Sequence, residues 1–135
     1  MALLITTMRR LMDQFTHIEQ IEHQGVTLLH FRFDGVESEA DGLARVAEAR
    51  VLVAKQSSRT LRTLIDVSDS RFTTRIIQDL RQLAAEFKPF VVASAVVGVG
   101  EVKAMILKGI SRMTGRTFYF AKSVDDAKQW LSQQH

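Results

Sequence analysis

The sequence predicts an α/β domain with a mixed, mostly parallel sheet in the order ββαβαβαβα. Three observations carry that reading. From Phe15 onward, strand-like segments alternate with segments whose apolar residues follow helical spacing. The run FVVASAVVGVG (90–100) is rich in β-branched residues and has no polar face, as a strand buried on both faces requires. The strands after the second are each separated by an amphipathic helix, the signature of parallel βαβ units.

The elements follow in chain order. FTHIEQIEH (15–23) is a first strand, polar enough for a sheet edge, and Gln24–Gly25 joins it to the next as a hairpin. VTLLHFRF (26–33) alternates, with Leu29, Phe31 and Phe33 on one face and Leu28, His30 and Arg32 turned outward on the other. Ser38 followed by Asp41 reads as a capping box, opening a helix on Leu43, Val46, Ala47, Arg50, Val51 and Ala54. LRTLIDV (61–67) is a central, buried strand. Ile76, Ile77, Leu80, Leu83, Ala84 and Phe87 define the next helix. Pro89 stops it, because the residue before a proline disfavours helical geometry. After the 90–100 strand, EVKAMILKGISRM (101–113) is a helix on Val102, Met105, Ile106, Gly109, Ile110 and Met113, with Gly115 as its C-terminal cap. TFYFA (117–121) is a short last strand, its Phe118 and Phe120 assigned to the core. Ser123 with Asp126 makes a second capping box before a helix on Val124, Ala127, Trp130 and Leu131.

At 135 residues, 46% hydrophobic and 24% charged, the chain has the composition of an ordinary globular domain able to bury a core. Residues 1–14 are expected to be an N-terminal extension, a short helix on the body or on a partner, and residues 15–135 a single domain. The apolar Leu3, Leu4, Ile5, Met8, Leu11 and Met12 of the extension would otherwise be exposed. Arg9 and Arg10 follow this apolar stretch, whereas a secretory signal needs its basic region first, and a membrane span needs about 20 apolar residues. No transmembrane segment is expected. The absence of cysteine excludes disulfides, thiolate nucleophiles and zinc–thiolate sites, and it fits a cytoplasmic location. The net charge of +3 arises from 18 basic and 15 acidic residues, a balance that says little about partners.

Several chemistries fail on spacing. GVGEVK (98–103) places Gly98 and Gly100 between strand and helix but lacks the Gly-Lys-Ser/Thr ending of a phosphate loop. It also lacks the third glycine of a dinucleotide fingerprint, so these glycines are expected to shape the turn. His17, His23, His30 and the terminal His135 lack close ligand spacing, and a site built from His17, Glu19, His23 and His30 across the hairpin is not expected. No nucleophile–base pair or paired carboxylates stand out, so no enzyme, no metal and no cofactor are expected. Residues 101–122 hold Lys103, Lys108, Arg112, Arg116 and Lys122 against Glu101 alone. Lys103, Lys108 and Arg112 are the candidate anion-binding residues, against the alternative of a solvated helix face. Nucleic acid is not expected, because exposed aromatics do not interleave with these cations.

The element order, with LIDVS (64–68) ending a strand before a polar loop and helix, resembles the STAS domain of anti-sigma-factor antagonists, the SpoIIAA-like fold. The same fold occurs in lipid-binding CRAL-TRIO domains. KPFVVASAVVGVGEVKAMILKGISRMTGR (88–116) with DDAKQWL (125–131) looks like a group of small bacterial STAS-like proteins of unassigned function. The resemblance covers about residues 15 to 133. Regulatory STAS domains carry Asp-Ser-Ser/Thr-Gly after this strand, with the first serine phosphorylated by a partner kinase. The matching stretch is Thr73-Thr74-Arg75-Ile76, in which the aspartate, the serine and the glycine are absent.

The resemblance implies a non-enzymatic regulatory or protein-interaction module. Its partner-binding surface would comprise Ser68, Asp69, Ser70, Arg71, Thr73, Thr74 and Arg75, at a helix N-terminus where anions are welcome. Those residue types also cap helices and make turns. The alternative is a small apolar ligand or lipid bound as in CRAL-TRIO domains, lined by Met105, Ile106, Met113, Phe118 and Phe120. Such a carrier should hold a continuous apolar cavity of roughly several hundred Å3. A homo-oligomer built through the apolar extension is a further alternative.

Overall fold

The computed structural model describes the backbone of residues 2–135 and the side chains from residue 8 onward. Gln24 and Gly25 both take positive φ (51° and 77°), the signature of a two-residue hairpin turn whose twist matches its strands. That turn joins β1 (Ile18–His23) to β2 (Val26–Arg32). The chain continues through α2 (Glu39–Ala54), β3 (Leu61–Asp66), α3 (Thr74–Phe87), β4 (Val91–Val97), α4 (Glu101–Thr114), β5 (Tyr119–Ala121) and α5 (Val124–Ser132). Ahead of the hairpin lies α1 (Ala2–Asp13). Its end packs on the domain through Met12, with Phe15 beside it. Leu3, Leu4 and Ile5 of the expected apolar extension lie outside the described side chains.

Sheet order equals chain order, β1-β2-β3-β4-β5. The first pair is antiparallel and the other three are parallel. Every parallel crossover steps the same way, so right-handed connections place their helices on one face of the sheet. There Phe31, Phe33, Val46, Leu52, Leu83, Phe87 and Val96 form the larger core. The opposite face is covered by α5, whose Ala127 and Leu131 meet Leu28, Leu64, Ala95 and Val97. Full burial of Leu64 alone contributes about 1.5–3 kcal/mol. Arg50 ties α2 to α3 through Glu86 (2.8 Å) and Asp79 (3.2 Å).

Five sequence expectations need correction. The buried stripe of α2 is Gly42, Val46, Ala49, Leu52 and Val53, while Ala47, Val51 and Ala54 of the expected stripe are exposed. His30 is buried and its Nε2 has no partner, because the face it turns to is the one beneath α5. Neither capping box closes reciprocally. Ser38 and Ser123 do accept from the N–H groups of Asp41 (3.1 Å) and Asp126 (3.0 Å). Aspartate is one methylene shorter than the glutamate the box needs, and Asp41 turns to Arg45, Asp126 to Tyr119 and the Lys122 N–H. The apolar residues of α4 do not form one buried stripe: Ile106, Leu107 and Ile110 face the sheet, while Val102, Met105 and Met113 face solvent. Phe120, assigned to the core, lies 37% exposed on the short edge strand.

Candidate functional site

The carboxyl ends of β2, β3 and β4 are laced together by the loops that follow them. Asp66 ends β3 and its Oδ1 accepts from the Ser68 N–H (2.9 Å), an Asx turn that starts the polar loop. The Ser68 carbonyl accepts from Gly35 N–H (2.9 Å), and Val67 N–H donates to the Val97 carbonyl (2.9 Å). Ser70 Oγ accepts from Val36 N–H (3.1 Å) and donates to the Phe33 carbonyl. Thr73 is the N-cap of α3: its hydroxyl accepts from Ile76 N–H (3.3 Å) and donates to Glu39 (2.6 Å). Gly98 lets β4 turn against this loop. It adopts φ +82°, and a Cβ there would stand 2.1 Å from Ser68 Oγ and 2.7 Å from the Ser68 backbone.

Seven residues of this loop carry the expected contact surface, and their side chains divide. Ser70 and Thr73 hold the loop in shape with hydroxyls already engaged, and Ser68 is half-buried. Asp69, Arg71, Thr74 and Arg75 are exposed, with Asp69 at φ 54°, a left-handed position that aspartate tolerates. The expected anion trio is not assembled. Lys103 is half-buried, donates to the Val67 carbonyl and lies 5.6 Å from the Phe72 ring centroid. Lys108 and Arg112 stay exposed one turn apart, on another side of α4.

Beneath α4 lies an apolar cavity of about 80 Å3, walled by Phe31, Phe33, Phe72, Phe87, Ile106 and Phe118. Of the expected ligand-lining residues, Ile106 and Phe118 are there; Met105, Met113 and Phe120 are not. Small-molecule sites typically enclose about 300–1,000 Å3. This cavity is far smaller.

Arg116 closes one end of it. Counted from the sequence among the exposed cations, it is in fact 8% exposed. Its one side-chain hydrogen bond among the described residues runs from Nη2 to Ser94 Oγ, which also contacts Thr63 Oγ1 (2.6 Å). The guanidinium sits 4.8 Å from the Phe118 ring centroid. Among the described residues it has no carboxylate partner. Burial alone pushes its pKa down to about 10, so it stays charged at neutral pH. Desolvating such an ion costs several kcal/mol. The Phe118 ring returns about 0.5–2 kcal/mol of that.

The architecture was compared with known proteins. It is similar to the crystal structure of an uncharacterized protein from the DUF3478 family with a SpoIIAA-like fold from Shewanella loihica PV-4, with a TM-score of 0.67 over 84% of this chain and 91% of that one. The chain has a SpoIIAA-like fold. Identity in that comparison is 20%, so the likeness speaks for fold and not for activity. No protein-family model and no curated protein matches the chain. In this SpoIIAA-like fold, the 67–73 loop occupies the strand-end position expected from the sequence. The histidines are dispersed: His17 Nδ1 pairs with Glu48 (2.6 Å), while His30 stands opposite Glu19 in the hairpin. Among the described residues no group of three metal-ligating side chains assembles. No described helix is long and apolar enough to cross a membrane.

Proposed function

We propose that the chain is a non-enzymatic interaction module that docks an acidic protein partner. The docking surface combines Asp69, Arg71, Thr74 and Arg75 with the outward side of α4. One observation carries this reading: Val102, Met105 and Met113 are 72%, 74% and 66% exposed on a single helix. Exposed apolar side chains scattered singly need no explanation, whereas a stripe beside charged groups is the usual composition of an interface. Lys108 and Arg112 supply positive charge beside the stripe. Lys103 lies over Phe72 and joins the loop that carries Arg71 to the first turn of α4. The engaged hydroxyls of Ser70 and Thr73 support a rigid contact face, with Thr74 the exposed hydroxyl at its edge.

The rival reading, a carrier of a small apolar ligand or lipid, meets the 80 Å3 cavity, which is too small for such a cargo without displacing α4. The test is affinity capture from native lysate with wild type, an Arg71→Glu/Arg75→Glu variant and a Val102→Lys/Met105→Lys variant. A partner should be recovered by wild type and lost by both variants, with thermal stability unchanged. Equal recovery by all three would place the contact elsewhere. Light scattering on the same samples reads whether that partner is a second copy.

A further inference from the structure

We propose that the groove beside the open half of β4 binds a phosphomonoester, with Arg116, Lys88 and Arg59 engaging its phosphate. This site lies beyond the carboxyl end of α4, next to the Met113 end of the contact surface proposed above, and does not depend on that reading. The groove exists because β5 is short: it pairs only with Ala95–Val97, leaving the β4 edge from Val91 to Ser94 without a neighbouring strand. The space there measures about 530 Å3, within the range of small-molecule sites.

Three of the ten residues lining the groove are cations and none is an acid. Arg59 lines the groove and donates its Nε to the Val91 carbonyl (3.0 Å). Lys88 reaches over the carboxyl end of α4, where Gly115 at φ +75° leaves room for it: a Cβ there would meet Nζ at 2.5 Å. Arg116 is the decisive member, a charge buried in the groove wall with no counter-ion among the described residues. Among the described residues Nη2 alone is engaged, on Ser94 Oγ, and Nε and Nη1 make no hydrogen bond.

A cation held this way is poorly placed for stability and well placed for an incoming anion. Guanidinium forks match the paired oxygens of phosphate, and three positive charges suit a dianion better than a single carboxylate. Pro89, Val91, Val92 and Ala93 supply an apolar floor, and the volume exceeds what inorganic phosphate fills, so the ligand carries an organic body.

The test is titration of the full chain, at fixed ionic strength, with phenyl phosphate, inorganic phosphate and benzoate, followed by calorimetry and amide chemical shifts. Phenyl phosphate should saturate and shift the amides of 91–94 and 115–117, more tightly than either control. Arg116→Gln should weaken it at least about tenfold, the loss of one charge-assisted contact. Without ligand, Arg116→Gln should melt at or above the wild-type temperature, which a purely structural arginine would not allow. Lys88→Gln and Arg59→Gln, both at exposed positions, should each weaken binding severalfold and keep the test decisive if Arg116→Gln fails to fold. Vesicles containing phosphatidic acid separate the sources: co-sedimentation assigns the phosphomonoester to a lipid headgroup, its absence to a soluble compound. Lack of saturation by phenyl phosphate, or binding unaffected by all three substitutions, overturns the site.

Discussion

Replacing Gly98 with alanine probes the junction on which the strand-end loops depend. Alanine at φ +82° incurs the left-handed penalty of an L-residue, about 1–2 kcal/mol. Its Cβ would also lie 2.7 Å from both Cα and N of Ser68, atoms fixed by the Asp66 turn and the Gly35 hydrogen bond. Overpacking of this kind costs about 1–3 kcal/mol. We therefore expect Gly98→Ala to lose about 3 kcal/mol, or roughly 10 °C in melting temperature for a chain of this length. Gly100→Ala is the control: nothing lies within 4 Å of its absent Cβ, and its φ of −90° suits any residue. As the N-cap of α4, where alanine is poorer than glycine, it should still cost no more than about 1 kcal/mol. Urea unfolding read by Trp130 fluorescence is a suitable assay, since the indole stacks on Tyr119 (4.5 Å) on the α5 side of the sheet. Trimming the side chain with Ser68→Gly should not rescue Gly98→Ala, because the closest fixed atoms are backbone. Equal losses at positions 98 and 100, or full rescue by Ser68→Gly, would refute the steric argument.

Two further perturbations follow from buried polar groups. Burial, with Arg32 adding to it, holds the pKa of His30 below its ordinary 6.5, so the unfolded state binds more protons below that pH. Stability should thus be unaffected by this group above about pH 6.5 and fall as pH drops toward the folded-state value. His30→Leu should flatten that decline below about pH 6.5, and identical urea-midpoint slopes for the two proteins would remove His30 as the cause. Ser70→Ala strips partners from the Val36 N–H and the Phe33 carbonyl and should cost about 1–3 kcal/mol, while Thr74→Ala should be nearly neutral; the comparison of urea midpoints decides.

Much of the architecture was legible because each signal was local. The alternation of Leu29, Phe31 and Phe33, the serines at 38 and 123 and Gly115 all act within a few residues of themselves, whereas Lys88 stays helical before Pro89 and the chain leaves α3 through a 3-10 turn. The candidate site was less legible because its features depend on elements far apart in the chain. Alternation assigns His30 to a face, but only α5, about a hundred residues later, decides that the face is buried. Apolar residues run around most of α4, so spacing alone could not divide Ile106, Leu107 and Ile110 from Val102, Met105 and Met113. The polar loop at 68–75 was placed correctly at a strand end. Which of its hydroxyls were already committed depended on Phe33, Val36 and Glu39 across the sheet. Arg116 was read with its basic neighbours; its burial follows from where Gly115 redirects the chain and from the small Ser94 side chain opposite.

The unidirectional strand order carries a consequence for synthesis. Because sheet order equals chain order, each new βα unit can add to a finished edge as it emerges, without opening pairs already made. The α5 face is the exception. Leu28 is in place early, Leu64, Ala95 and Val97 join it, and their cover is the last helix of all. A growing chain should therefore carry one finished face and one bare face until residues 124–132 arrive, a state prone to sticking to other chains. Chains halted after Lys122 should bind a hydrophobic dye that the full chain excludes, and added α5 peptide should reverse it. Absence of dye binding would mean that the second face closes without its helix. On this view α5 acts as a closing latch that covers the last apolar face of the sheet.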